Sequence, residues 1–240
     1  MSPPPEDADV ETASAGYARR FDSAVGRYML ERQLAATLDL LADKGATTIL
    51  DVGGGHGQVA GELARRGHRV TVLASAREAV SATLQPLIDS GDVKLLVGDL
   101  REPPVARGDF DTVISYRLLA HAHDLPGLVG GLTRAATRSV IVDYATTRSF
   151  NAVAEIFFAA KKGVEKNTRP FLVLRDADVI AMFGASQCRA AGRRPQFFWP
   201  MALHRAHGSP ALARAVEAPA AALGLRALFG SPVIARFDHV

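Results

Sequence analysis

Along most of this chain, short apolar runs alternate with stretches whose apolar residues recur at helical spacing. Thr48-Ile49-Leu50-Asp51-Val52 reads as a buried strand that breaks into four glycines within the five residues from Gly53 to Gly57. Gln58 to Arg66 follows as a helix with Val59, Leu63 and Ala64 on its apolar side. Arg69 to Leu73 reads as the second strand, Ala79 to Ile88 as a helix, and Val93 to Val97 as the third strand. Asp109 to Tyr116 and Ser139 to Tyr144 give the fourth and fifth strands. Gln196 to Arg205 reads as a partly irregular sixth, Pro210 to about Leu223 as an alanine-rich helix, and Pro232 to Phe237 as a seventh strand. This alternation predicts an α/β domain built on a mostly parallel sheet with helices on both faces.

The ends and one insertion depart from that rhythm. Residues 1–13 are proline-rich and polar with no apolar period, and are expected to form a disordered tail. A single domain then spans 14–240. Its first part, 14–45, carries Tyr17, Phe21, Tyr28, Leu30, Leu34, Leu38 and Leu41 at mostly helical spacings, with Gly26 expected to split the helix in two. Residues 145–175 mix Phe157 and Phe158 with Lys161, Lys162, Asn167 and Arg169, too long for a minimal connection, and are expected to form a small helical cap. Asp176 is placed to N-cap the helix that follows.

Bulk numbers narrow the class. At 240 residues the chain suits one α/β domain, and 48% hydrophobic with 22% charged residues is ordinary for a globular protein. A net charge of +3, with only short Arg65-Arg66 and Arg193-Arg194 pairs, argues against nucleic acid as a partner. The single cysteine, Cys188, excludes an internal disulfide framework. No apolar run approaches the roughly 20 residues that span a bilayer, and the N-terminus is unlike a signal peptide. The expectation is a soluble cytoplasmic protein, with a homodimer left open.

The glycine turn carries the chemistry. Glycine has no Cβ and tolerates positive φ, so a ligand can approach the backbone closely there. Asp51 ends an otherwise apolar strand, where a lone carboxylate is costly without a partner. Asp51-x-Gly53-x-Gly55-x-Gly57, the Gly98-Asp99-Leu100 turn after the third strand and Phe110-Asp111-x-Val113 in the fourth resemble the motifs of class I S-adenosylmethionine (SAM)-dependent methyltransferases. The resemblance implies a Rossmann-like, seven-stranded, mostly parallel sheet with an antiparallel last strand. It implies SAM as cofactor, S-adenosylhomocysteine (SAH) as product and a small-molecule acceptor. Asp51, Gly53, Gly54, Gly55 and Gly57 would line the cofactor, Asp99 would accept from the adenine amino group, and Leu100 would offer its backbone N–H. Tyr28 of the N-terminal helices would close over the site, and Gly98, Ser115 and Tyr116 would complete it.

One position departs from that pattern. The family usually ends its second strand with an acid that binds the ribose hydroxyls, and here that position is Ala74, followed by Ser75. Alanine accepts no hydrogen bond, so Ser75, a backbone group or water would have to serve. Arg117 and Tyr144 at the carboxyl ends of the strands, Tyr17 of the N-terminal helices, and Asn167 and Arg169 of the insertion are the candidate acceptor-binding residues, and His121 is the candidate base for a hydroxyl acceptor. His121-Ala122-His123-Asp124 without distant partners makes no metal site.

Two rival readings remain at this level. Gly55-His56-Gly57-Gln58-Val59-Ala60 satisfies G-x-G-x-x-A, and Ser75 with Arg77 would suit the 2′-phosphate of NADP, which points to an oxidoreductase. A non-catalytic protein that binds SAM or SAH and has lost its acid at Ala74 is the other.

Overall fold

An interior strand of the sheet is β1 (Thr48–Val52), whose side chains are buried on both faces. Alternate residues of a strand point to opposite sides. Leu50 and Val52 enter one core with Leu73, Val113, Val140 and the helical residues Leu128, Val129 and Leu132. Ile49 enters the other with Val72, Ile114, Ile141, Leu40 and Leu63. A strand apolar on both sides requires helices on both sides, and that is what the chain supplies.

The computed structural model describes residues 6, 7, 9, 10, 21–41, 47–149 and 172–240. The remaining strands are β2 (Arg69–Ala74), β3 (Val93–Val97), β4 (Phe110–Ser115), β5 (Ala136–Thr146), β6 (Val173–Leu174), β7 (Cys188–Phe197) and β8 (Ser231–His239). The sheet order is β3-β2-β1-β4-β5-β8-β7, with the short β6 paired to the end of β5. β1 pairs in parallel with β2 and β4, and β8 runs antiparallel to both β5 and β7. The order reverses between β1 and β4, and the carboxyl ends of these two strands open the crevice where such sheets bind ligands.

The helices are α1 (Ala24–Leu41), α2 (Ala60–Arg65), α3 (Gln85–Asp89), α4 (Leu125–Ala135), α5 (Asp176–Ala185), α6 (Met201–His207), α7 (Pro210–Ala222) and α8 (Leu225–Phe229). α1 crosses the sheet toward its antiparallel end. Arg236 of β8 donates to the Leu40 carbonyl at 2.6 Å, and a Cβ on Gly192 of β7 would stand 2.5 Å from the Leu40 side chain.

Four local expectations are corrected. Gly26 does not break the first helix; it lies in the first turn of α1, where its N–H is capped by Ser23 Oγ at 3.0 Å. The helix expected over 79–88 is a short turn at Arg77–Ala79 followed by α3, because Pro86 lacks an N–H and fits only a first helical turn. The strand expected over 196–205 lies earlier, as β7, and residues Met201–His207 form α6 after Pro200. β7 is an edge strand carrying Arg189, Arg193 and Arg194, so its polar surface concealed it in the sequence. Asp176 is not the cap but the first residue of α5, where it accepts from Thr146 Oγ1 at 2.7 Å and pairs with Arg193 at 3.1 Å. The middle of the expected cap, 150–171, lies outside the described residues.

Between β7 and β8, α6 and α7 are joined by a buried polar centre. Glu217 accepts from His204 Nε2 at 3.0 Å and from the N–H groups of Phe198 and Trp199. Burial pushes the Glu217 carboxyl up, but His204 and these N–H groups hold it below its usual range. Breaking such a centre strands several buried donors at once. Glu217→Ala is therefore expected to lower stability by about 3 kcal/mol in urea unfolding. Removal of the exposed Arg175–Asp178 pair by Arg175→Ala should leave the midpoint in place.

Candidate active site

The glycine turn folds directly onto Asp51. Gly53 and Gly57 sit at φ +74° and +67°, in the left-handed region that favours glycine. A Cβ at Gly54 would stand 2.2 Å from the Asp51 carboxyl carbon, and one at Gly55 would stand 2.0 Å from the Ala79 carbonyl oxygen. No larger residue fits either place. Gly53 N–H donates to Leu73 O at 2.8 Å and Gly57 N–H to Gly54 O at 2.8 Å, so the turn is tied to β2 and closed on itself.

Asp51 is 4% exposed. Burial raises its carboxyl to about 7, against the pull of the Arg117 guanidinium. Together with Gly53, Gly54, Gln58, Tyr116 and Arg117 it lines a small cavity of about 30 Å³. A second cavity of about 260 Å³ adjoins it, walled by Phe21, Met29, Phe197 and Met201 and edged by His121, Asp143, Tyr144, Gln196 and Arg205. The two cavities share Gln33 and Arg117.

Arg117 is held in an unusual posture. Its backbone is left-handed at φ +64°, its N–H donates to Asp143 Oδ1, and its guanidinium donates to Gln33 Oε1 at 3.3 Å and to Gln58 Oε1. It also stacks over the Phe21 ring at 4.9 Å. Burial raises the Asp143 carboxyl to about 6, with the Arg117 N–H and charge opposing. The Tyr116 hydroxyl lies 2.6 Å from Thr37 Oγ1 of α1, and burial keeps that phenol well above its ordinary range.

The ends of β2 and β3 form the other flank. Gly98 N–H donates to Ala74 O at 3.0 Å. Asp99 Oδ1 accepts from the Arg101 N–H at 2.9 Å and the Glu6 N–H at 3.1 Å, and the Arg101 guanidinium reaches Oδ2 at 3.2 Å. Burial pushes Asp99 up, but these donors together hold it below the usual carboxylate range. Ser75 donates through both its N–H and its hydroxyl to the Asp9 carboxylate. Four residues of the stretch expected to be a disordered tail thus have a place, with Glu6 and Asp9 buried at the ends of β2 and β3.

The structure brings Asp51, Gly53, Gly54, Tyr116, Arg117, His121 and Tyr144 into the two adjoining cavities. It does not bring Tyr28 there. Tyr28 packs edge-on against Phe197 at 6.2 Å, with Arg214 over its ring at 4.7 Å, on the face of α1 that also carries Val25 and Met29. Gln33 and Thr37 of α1 face the cleft in its place. Ser115 turns its hydroxyl to Val52 O at 3.1 Å, and the Leu100 side chain lies in the core. Tyr17, Asn167 and Arg169 lie outside the described residues. Gln33, Gln58, Glu6 and Asp9 escaped the sequence; only Asp143, closing an apolar strand, left a signal there.

Residues 49–138 match a family described as a methyltransferase domain. A malonyl-(acyl-carrier protein) O-methyltransferase of Xylella fastidiosa (strain M23) is 29% identical over 129 residues, covering 52% of this chain. The aligned stretch spans only 44% of that enzyme's length. Among solved structures, magnesium protoporphyrin IX methyltransferase from Synechocystis PCC 6803 with bound SAH is similar at a TM-score of 0.65 and 16% identity, covering 95% of this chain and 96% of that one. The 1,6-didemethyltoxoflavin-N1-methyltransferase of Burkholderia thailandensis gives a TM-score of 0.62 at 13% identity, covering 96% of this chain and 85% of that one. Residues 49–138 thus match a methyltransferase domain, and the chain as a whole shares its fold with these methyltransferase structures.

The matched stretch contains the glycine turn, Asp99 and Arg117. Phe197, Met201 and Arg205 of the larger cavity fall after it. Among the described residues, no group of three or more His, Cys, Asp or Glu side chains is placed to hold a metal ion, and no helix is long and apolar enough to cross a membrane.

The raised Asp51 carboxyl makes stability depend on pH. The folded chain holds this proton more tightly than the unfolded chain, so stability is lost as pH rises from about 4 toward 7. Asp51→Asn cannot ionise. It is expected to raise the urea midpoint above wild type at pH 8 and to leave the two close together at pH 4, with Asp143 common to both.

Proposed function

We propose that this chain transfers a methyl group from SAM to a small-molecule acceptor, with a hydroxyl as the acceptor group. The observation that carries the reading is the junction of the two cavities at Gln33 and Arg117. One is a glycine cradle with a buried carboxylate, and the other is a mainly apolar chamber with a few polar groups at its edge. A group held in the first lies beside a group held in the second, the proximity that in-line transfer requires.

The residues of the cradle fit the cofactor. Gly53 and Gly54 leave the backbone bare, and the Asp51 carboxylate suits the ammonium of a methionine moiety; a cation there would pull its pKa down from about 7. Asp99 and the Leu100 N–H are assigned to the adenine end. When bound, SAM supplies an electrophilic methyl carbon. The protein's part is to align, exclude water and move one proton. Phe21, Met29 and Phe197 give the acceptor chamber its apolar wall. Arg117 and Arg205 orient an anionic or polar group on the acceptor. His121, at the chamber edge, takes the hydroxyl proton as the oxygen attacks.

The relatives support the reaction class and leave the acceptor to be found, since one is named for O-methylation and another for N1-methylation. The oxidoreductase reading is disfavoured by Asp51, the Gly98-Asp99-Leu100 turn and the Phe110-Asp111 strand, which a dehydrogenase does not require.

Calorimetry should detect SAM and SAH but not NADPH, and Gly54→Ala should abolish both signals by driving a methyl into Asp51. With an acceptor found by mass-spectrometric screening of small phenols, carboxylates and amines, His121→Ala is expected to lower kcat about 100-fold. Its SAH affinity should stay within about twofold. An amine acceptor with kcat indifferent to His121 would overturn the hydroxyl assignment.

A further inference from the structure

Two carboxylates from a polar, proline-rich stretch lie where this fold receives a nucleoside. Glu6 is 1% and Asp9 2% exposed. The Asp9 carboxylate accepts from the Ser75 N–H at 2.8 Å and from the Ser75 hydroxyl, immediately beyond β2. Its Cβ lies 3.8 Å from where a side chain on Gly53 would begin. The Glu6 N–H occupies Asp99 Oδ1 beyond β3, and the Glu6 carboxylate accepts from the His123 N–H at 2.9 Å. The segment therefore bridges the ends of β1, β2 and β3 and the chain after β4.

Each contact uses a group that a nucleoside would need. Asp99 Oδ1 already holds two N–H donors and has no good geometry for a third. The Ser75 donors, the nearest polar groups beside Ala74, already face a carboxylate. Ala74 itself gains a rationale. A carboxylate at that position would stand one residue from the Ser75 N–H that holds Asp9, and two acids so close repel. An alanine lets Asp9 sit there.

We propose that the segment carrying Glu6 and Asp9 is an intramolecular competitor for the nucleoside half of the cofactor cleft, an acidic strap that must leave Ser75 and Asp99 before SAM or SAH can bind. This rests on the cofactor reading given above. The apparent affinity for cofactor is then the intrinsic affinity scaled by the fraction of molecules with the strap released. Burial also pushes the Asp9 carboxyl up from its usual value, against the pull of Ser75, so the seated strap carries a desolvation penalty that its release relieves.

The test is SAH titration of the full chain by calorimetry, wild type against Asp9→Ala and Asp9→Asn, with amide hydrogen exchange across residues 5–10. Each variant is first checked for a wild-type unfolding midpoint, since Asp9 is buried. Asp9→Ala is expected to bind SAH about tenfold more tightly, with Asp9→Asn between it and wild type. In the wild type, saturating SAH should speed exchange in residues 5–10. Equal affinity in all three proteins would overturn the strap and leave the cofactor reading intact. Weaker binding by Asp9→Ala, with slower exchange on SAH, would also overturn it and make Asp9 a cofactor ligand. Absence of SAH binding by every folded variant would overturn both.

Discussion

A carboxylate buried under a turn with no room for one more carbon governs this structure. Asp51 sits at the end of β1, and Gly54 lies so close above it that even a methyl group would collide with the carboxyl carbon. Gly55 is pressed equally hard against Ala79, so the turn cannot be lifted to make space. The carboxyl is thus largely buried beneath backbone, and burial raises its pKa to about 7. The nearby Arg117 charge partly offsets that, and Arg117 needs a left-handed backbone, an acceptor at Asp143 and two glutamine side chains to be held there. Much of the cleft between β1, β4, β5 and α1 can be read as the surroundings this one buried acid demands.

The arrangement trades stability for readiness. Asp51 and Asp143 are both buried with raised carboxyl pKa values, and neither would be chosen for the sake of the fold. A polar centre of similar depth, Glu217 with His204, behaves in the opposite way: its acid is held ionised by matched donors and ties α6 and α7 to the sheet. The contrast separates a buried acid with a structural partner from buried acids that face cavities.

The centre of the sheet was legible in the sequence because it is apolar on both faces. β1 falls where its apolar run places it, β2 differs by one residue at its end, and the edge strand β3 also falls where its run places it. The glycine turn announced itself through composition alone. What was illegible has physical causes. β7 is an edge strand whose arginines mask its period, and Pro200 turns the following apolar run into a helix. Tyr28 and Gln33 occupy the same helix, and spacing cannot say which face of α1 meets the cleft; the sequence favoured the aromatic residue, and the packing against Phe197 took it. Glu6 and Asp9 had no apolar neighbours to mark them, since their place depends on donors supplied by Ser75, Asp99 and His123 far along the chain.

The two cavities are built from different parts of the chain. The cradle draws on β1, its turn and the end of β4, where almost every substitution meets backbone or a buried charge. The larger chamber takes much of its wall from α1, β7, α6 and β8, with β8 and β7 forming the antiparallel end of the sheet beyond β5 and Arg236 tying β8 to α1. Mutational drift is therefore unevenly tolerated. Substitutions at Met29, Phe197, Met201 and Arg205 can reshape one wall of the chamber while the turn above Asp51, with no room for a Cβ, keeps its form.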